Sequence, residues 1–175
     1  MVDYGNVPDS YEATLDAFRK ASRKSDLILT SGGMSVGEAD YIKPVVEALG
    51  HIDMWKIAVK PGKPVAKGEV NGVPFLGLPG NPVSSLVTFL IFAQPLILKL
   101  SGRREVEVKS YNLPIDFDWK GGSRREFIRV RRNENGALEA YRTQNSAVLT
   151  SCLWADGLAD IPANADLKKG DLVRY

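Results

Sequence analysis

The sequence predicts an α/β layered domain over residues 1–103 followed by a small all-β, barrel-like domain over 104–175. Three observations carry this expectation. In the first part, segments with helical periodicity alternate with short apolar runs. Asn71-Gly72, between "VAKGEV" and "VPFLGL", has the chemistry of a tight hairpin turn. After "SGRREVEV", short runs separated by "WKGG", "NENG", "WADG" and "KKGD" have the spacing of a small β module.

The elements follow in order. Asp9 and Glu12 have the spacing of a capping box, and Ala13, Leu15, Ala17, Phe18 and Ala21 form an apolar helical face that ends near 22–24. "DLILT" (26–30) suits a buried parallel strand, stopped by "SGG". A helix is expected over 40–49, a strand over "IDMWKIAVK" (52–60), and a long buried helix over 82–100, kinked near Pro95. In the second part the runs "EFIRVRR", "LEAYR", "AVLTSC", "LADIP" and "DLVRY" are the expected strands.

Composition narrows the function. A chain of 175 residues with a formal charge of +2 has no electrostatic footprint for nucleic acid. The single cysteine, Cys152, cannot close an internal disulfide, and no Cys/His spacing suggests zinc, so a reducing cytoplasm is the expected setting. The N-terminus lacks a basic start and apolar centre, and nothing marks it for export. The apolar stretch 82–100 carries Ser84, Ser85, Thr88, Gln94, Pro95 and Lys99, which argues for a core helix rather than a membrane span.

Three loops concentrate the unusual residues, each after an expected strand, where an open α/β sheet places its ligand crevice. In "LPGNPVS", Asn81 can cap the next helix with Pro82 in its first turn, Gly80 permits close approach of a ligand, and Ser84 offers a hydroxyl. The remaining free N–H groups would face an anion. In "SGGMSVGEAD", Gly32 and Gly33 allow a tight turn, Ser31 and Ser35 offer hydroxyls, and Asp40 either orients a metal ion or ribose hydroxyl or caps the following helix. In "KPGKP", Pro61 and Pro64 stiffen the backbone that presents Lys60 and Lys63. Together they point to an anionic ligand, although each alone is also a plain turn.

Other residues carry less chemistry. His51 beside Gly50 is expected to be solvated, and Cys152 to be a small core residue rather than a nucleophile. Alternation of Ile128 and Val130 with Arg129 and Arg131 places those two arginines on a solvated strand face.

"SGGMSVGEADY", "WKIAVKPGKPVAKG" and "GLPGNPVSSLVTF", in this order and spacing, closely resemble the molybdopterin molybdenumtransferases, the MoeA and gephyrin E-domain family. "RREFIRV", "QNSAVLTS" and "ADGLADIP" resemble that family's C-terminal barrel. The resemblance implies a three-layer α/β/α molybdopterin-binding-type domain. It also implies Mg2+-dependent insertion of molybdenum from molybdate into adenylylated molybdopterin, releasing AMP. The pterin dithiolene supplies the sulfur ligands, so the protein must position two anions and neutralise their charge.

On matching positions the resemblance implies nucleotide and magnesium contacts at Ser31, Gly32, Gly33 and Asp40, with Asp40 the metal carboxylate, and the Ser35 hydroxyl in the same loop is a further candidate ligand contact. Lys56, Lys60 and Lys63 would neutralise phosphate and molybdate charge. Pro79, Gly80, Pro82 and Ser84 would form the loop against the adenylate, and Arg124 and Ser146 the molybdate contacts, with Arg125 a close competitor to Arg124. The implied partners are a second copy of the chain, as a homodimer, and the molybdopterin adenylyltransferase.

The pattern departs from the family at the start. No Thr-Gly-Asp-Glu motif occurs, so the α/β domain is expected to be incomplete at its N-terminus and the chain to be a C-terminal portion. Such a sheet should expose hydrogen-bonding edges. Two alternatives stay open: a molybdopterin adenylyltransferase, and a non-enzymatic binding or assembly module.

Overall fold

The structure is a computed structural model that describes residues 1–33 and 40–175. The chain divides into two compact units. The first comprises Met1–Ile57, Gly62–Gly80 and Thr88–Val106, and the second Ala58–Pro61, Asn81–Val87 and Glu107–Tyr175.

In the first unit, helix α1 (Tyr11–Ser22) starts one residue later than the expected box. Ser10, in extended conformation, is the N-cap, and its hydroxyl accepts from the Ala13 N–H at 3.2 Å. Strand β1 (Ile28–Ser31), helix α2 (Ile42–Leu49) and strand β2 (Gly50–Met54) follow. Strand β3 (Val59–Lys60) belongs to the second unit, and the first resumes with β4 (Ala66–Val70) and β5 (Val73–Leu78). The expected single strand over 52–60 is therefore two short ones. β2 pairs antiparallel with β4, with an irregularity between Ile52 and Met54, whereas β3 pairs parallel with another sheet. The break lies at a backbone turn in which the Ile57 N–H donates to the Lys63 carbonyl at 3.1 Å.

The sheet order is β1-β5-β4-β2, with β1 parallel to β5 and β1 at an edge. The Asn71-Gly72 hairpin forms as expected. Both residues have positive φ, 50° and 83°, and Val70 pairs with Val73 across the turn. Successive β5 side chains point to opposite faces. Phe75 joins Phe18, Ala21, Val45 and Val46 from α1 and α2, while Leu76 and Leu78 pack with Val65, Phe89, Phe92 and Ala93. The Phe18 and Phe75 rings lie 5.5 Å apart. Burial of each such side chain contributes about 1.5–3 kcal/mol. Helices thus cover both faces, the α/β/α layering expected.

Residues 82–100 are helical throughout but not uniformly. α3 (Pro82–Thr88) passes through a π-helical turn (Phe89–Ala93) into α4 (Gln94–Leu100). The widened turn stands just before Pro95, which lacks an N–H and whose ring crowds the carbonyl four residues back. The run is long and apolar enough to cross a membrane. Val83, Val87, Thr88 and Ala93 are buried and Leu86, Leu90 and Leu100 are exposed, so it is less buried than expected.

The second unit is mostly β. Its elements are β6 (Asn112–Pro114), β7 (Trp119–Lys120), β8 (Arg125–Arg132), β9 (Leu138–Ala140), helix α5 (Thr150–Trp154), β10 (Gly157–Ile161), β11 (Asp166–Leu167) and β12 (Leu172–Arg174). The strand order β3-β8-β10-β12-β6, with β9 on β8 and a separate β11-β7 pair, is an open path and not a closed barrel. Ile115, Ile128, Val130, Leu138, Ala159, Ile161 and Val173 form its core. The run "AVLTSC", expected as a strand, instead enters α5. Turns at Val148 and Ser151 curl the chain and carry the Ser151 hydroxyl inward.

Candidate functional site

Within the first unit, the parallel pairing of β1 and β5 sends both of their following loops out at one end of the sheet, because residues 28–31 align with 75–78. The Gly32 N–H donates to the Leu78 carbonyl at 3.0 Å, and the Ser31 hydroxyl lies 3.4 Å from the Pro79 carbonyl. Ser31, Gly32, Pro79 and Gly80 are thereby gathered at one place. A Cβ at Gly80 would stand 3.2 Å from the Gly32 Cα, a tight contact that would press the two backbones apart, and Gly32 has φ of +92°, a conformation that favours glycine. Gly33, with φ of +63°, continues the turn.

Asp40 is half-buried before α2, and its Oδ1 accepts from the Ile42 N–H at 3.4 Å. It thus stands as a carboxylate at the helix start. Ser35 lies outside the described residues. Lys56 and Lys63 are exposed and form no ion pair among the described residues.

The "KPGKP" loop departs from expectation, since β3 before it is not part of the α/β sheet. β3 pairs with β8 in the second unit, which places Lys60 opposite Glu126. The Lys60 ammonium donates to Glu126 Oε2 at 3.3 Å, and the Lys60–Pro61 peptide is cis. Arg124 Nη1 donates to the Val59 carbonyl at 3.1 Å. Arg125 points elsewhere, into an exposed pair with Asp160 whose hydrogen bond holds the guanidinium above its ordinary value.

At the start of α3, Pro82 occupies the first turn as expected, and Ser84 is buried. The expected cap does not form. Asn81 Oδ1 is buried with no hydrogen-bond partner, and it is the Asn81 backbone carbonyl that accepts, from the Ser85 N–H at 2.8 Å.

The largest difference from the sequence reading is Arg129. Expected on a solvated face, it is 1% exposed. Gln144 covers it by taking the role of a strand partner. Its Oε1 accepts from the Arg129 N–H at 2.8 Å, and its Nε2 donates to the Arg129 carbonyl at 3.1 Å. The guanidinium donates from Nε to Ser151 Oγ at 3.1 Å and from Nη2 to the Asn145 carbonyl at 3.2 Å, while Nη1 is buried with no partner. Burial holds its proton affinity below the ordinary arginine value, with the Cys152 thiol acting weakly the other way. Among the described residues this buried guanidinium meets a hydroxyl and a carbonyl but no anion, whereas such a cation is normally matched by one. Ser146, half-buried, follows directly on the Asn145 that caps Nη2. The usable signal in the sequence was not β8 alternation but the "QN" pair before Ser146.

Two secondary expectations are also settled. His51 is exposed as expected, although it lies on β2, with Nε2 3.2 Å from Asp53 Oδ1. Cys152 is half-buried on α5. Among the described residues no three His, Cys, Asp or Glu side chains gather as a metal cage. A lone carboxylate such as Asp40 still fits Mg2+, which commonly takes one or two carboxylates and fills its sphere with water and phosphate oxygens.

Residues 1–99 match the family described as probable molybdopterin binding domain, and residues 112–175 match the MoeA C-terminal region (domain IV). The chain is 51% identical over 105 residues to the molybdopterin molybdenumtransferase of Haemophilus influenzae, covering 60% of this chain and 26% of that protein. Molybdopterin molybdenumtransferase 2 of Mycobacterium tuberculosis is 32% identical over 93% of this chain and 40% of its own length. Among solved structures, a molybdopterin biosynthesis MoeA protein of Pyrococcus horikoshii superposes with a TM-score of 0.78 at 31% identity, over 95% of this chain and 40% of that one. The chain therefore spans well under half the length of these relatives.

Proposed function

Because the chain belongs to the MoeA family, we propose that it forms part of a molybdopterin molybdenumtransferase, serving molybdenum cofactor synthesis by transfer of molybdenum from molybdate to adenylylated molybdopterin with release of AMP. The observation that carries the proposal is Arg129, a buried guanidinium with an unpartnered Nη1 in the part of the chain where the family resemblance implied a molybdate contact at Ser146. Molybdate is a compact dianion, and such a donor stabilises it strongly away from water. In this reading Arg129 and Ser146 bind molybdate. Arg124 would be a further molybdate contact, since its Nη1 hydrogen bond to the Val59 carbonyl uses only part of a guanidinium that carries five donors.

The adenylate would lie on the loops at Ser31, Gly32, Gly33, Pro79 and Gly80, where the absence of side chains at the glycines lets a ligand approach the backbone closely. Pro82 and Ser84 would complete that loop, with Ser35 as a further hydroxyl. Asp40 would hold Mg2+, which neutralises phosphate charge when bound. Lys56, Lys60 and Lys63 would neutralise the remaining anionic charge, and no residue here needs to act as a covalent nucleophile. A domain division at 103/104, a cytoplasmic setting, a homodimer and contact with the molybdopterin adenylyltransferase belong to the same proposal.

The test is calorimetric titration of the chain with AMP and with molybdate in magnesium, beside Asp40→Ala, Ser84→Ala and Arg129→Met. Saturable AMP binding lost in the first two variants, and molybdate binding lost in the third, is the expected result. A folded chain that binds neither ligand refutes the reading for this polypeptide.

A further inference from the structure

We propose that Glu126 is a positioning residue that fixes the Lys60 ammonium, an inference that rests on the reading of Lys60 as an anion contact. Glu126 is 3% exposed, in a position where a carboxylate is costly unless it is paired and hydrogen-bonded. It has both. Oε1 accepts from the Gly122 N–H at 3.0 Å and Oε2 from the Lys60 ammonium at 3.3 Å. Among the described residues Lys60 is the ion-pair partner of this carboxylate, and its own side chain remains 45% exposed.

The backbone explains why the two meet. β3 and β8 pair in parallel with Lys60 opposite Glu126, so both side chains leave the same face of the ladder. The Arg125 N–H donates to the Ala58 carbonyl and Arg124 Nη1 to the Val59 carbonyl, both at 3.1 Å, pinning the two-residue strand on either side of the pair. A two-residue strand would hold a long, flexible lysine loosely. A buried carboxylate whose position is set by its own strand and by Gly122 removes that freedom.

The consequence is chemical as well as geometric. An ammonium has three donors. One is spent on Glu126, and the others face outward in a fixed orientation. The pair has little net charge, so Lys60 attracts an oxyanion by directed hydrogen bonds more than by long-range Coulomb force. Glu126 touches no ligand in this scheme and acts through Lys60.

Two measurements on the chain separate this inference from the functional reading. Lysine ammonium groups held in a hydrogen bond exchange hydrogen slowly enough to appear in 15N–1H correlation spectra. The Lys60 signal is expected in the wild-type chain and to vanish in Glu126→Gln, and equally in Glu126→Asp, which keeps the buried charge but withdraws its reach. A Lys60 signal absent in the wild type, or unchanged in the folded variants, overturns the proposal. Molybdate titration then tests the route. Glu126→Gln should change the dissociation constant by about tenfold in the wild-type background and by under about twofold in Lys60→Ala. Equal effects in both backgrounds mean that Glu126 does not act through Lys60, and the proposal fails. If no variant binds molybdate while the Lys60 signal still depends on Glu126, the anion reading fails and the positioning role stands.

Discussion

The Nε–H of Arg129 donates to the Ser151 hydroxyl at 3.1 Å, and that hydroxyl donates onward to the Val148 carbonyl at 2.6 Å. α5 is thereby tied to the middle of β8 through a cation that has no carboxylate partner among the described residues. A structural arginine would be expected to bring its own counter-ion.

Arg129→Met tests which role dominates. Methionine replaces the aliphatic stem of arginine and carries no charge, so the desolvation cost disappears while the packing of the stem remains. Urea unfolding should show a stability unchanged or raised by about 1–2 kcal/mol, together with loss of molybdate binding. A variant destabilised by several kcal/mol would mark Arg129 as structural instead.

Gly157 on β10 lies against the Tyr175 ring, where an added Cβ would be 2.5 Å from Cε2. Gly157→Ala is expected to cost about 1–3 kcal/mol, read as a lower urea midpoint. In a Tyr175→Ala background the same change should cost clearly less, because the obstructing ring is gone. Additive effects would place the strain elsewhere.

Tyr175 also predicts an alkaline transition. Burial raises its phenol above the ordinary value, with Asp156 acting in the same direction and Arg132 against it. The folded state therefore favours the neutral phenol. That stabilisation is fully present below the unfolded tyrosine value, about 10, and is lost as pH rises through the folded one. Stability of the wild type should fall between those limits, and Tyr175→Phe should flatten that part of the profile. An identical alkaline decline in both proteins would rule out Tyr175 as its source.

The start of α1 separates two candidate caps. The Ser10 hydroxyl accepts the Ala13 N–H. Ser10→Ala should cost about 1 kcal/mol and Asp9→Ala no more than about half of that. The reverse order in thermal or urea unfolding would restore Asp9 as the cap.

Much of the first unit was legible from local chemistry. The Asn71-Gly72 turn needs only two residues able to take positive φ, and the apolar periodicity of α1 and the runs at β1 and β5 report burial directly. The gathering of Ser31 and Gly32 with Pro79 and Gly80 also followed from strand ends, once β1 and β5 were parallel neighbours. Less legible were the short elements. Val59 and Lys60 looked like the end of one strand because their neighbours are apolar, yet they pair with β8, and Val59 accepts from Arg124 just before it, 65 or more residues away. "AVLTSC" has strand-like composition, yet it enters a helical turn in which Ser151 meets Arg129, a contact made across 22 residues.

The sequence by itself determined the family, the α/β layering and the loops rich in glycine and proline, because these depend on periodicity, turn chemistry and residue order along the chain. Only the tertiary structure decided which arginine is buried and which carboxylate holds Lys60. Alternation on β8 assigned Arg129 to solvent, and nothing local in "REFIRV" reveals that Gln144 and α5 cover that face. Burial is a property of what packs across a strand, and that covering comes from residues 12–22 positions further along the chain.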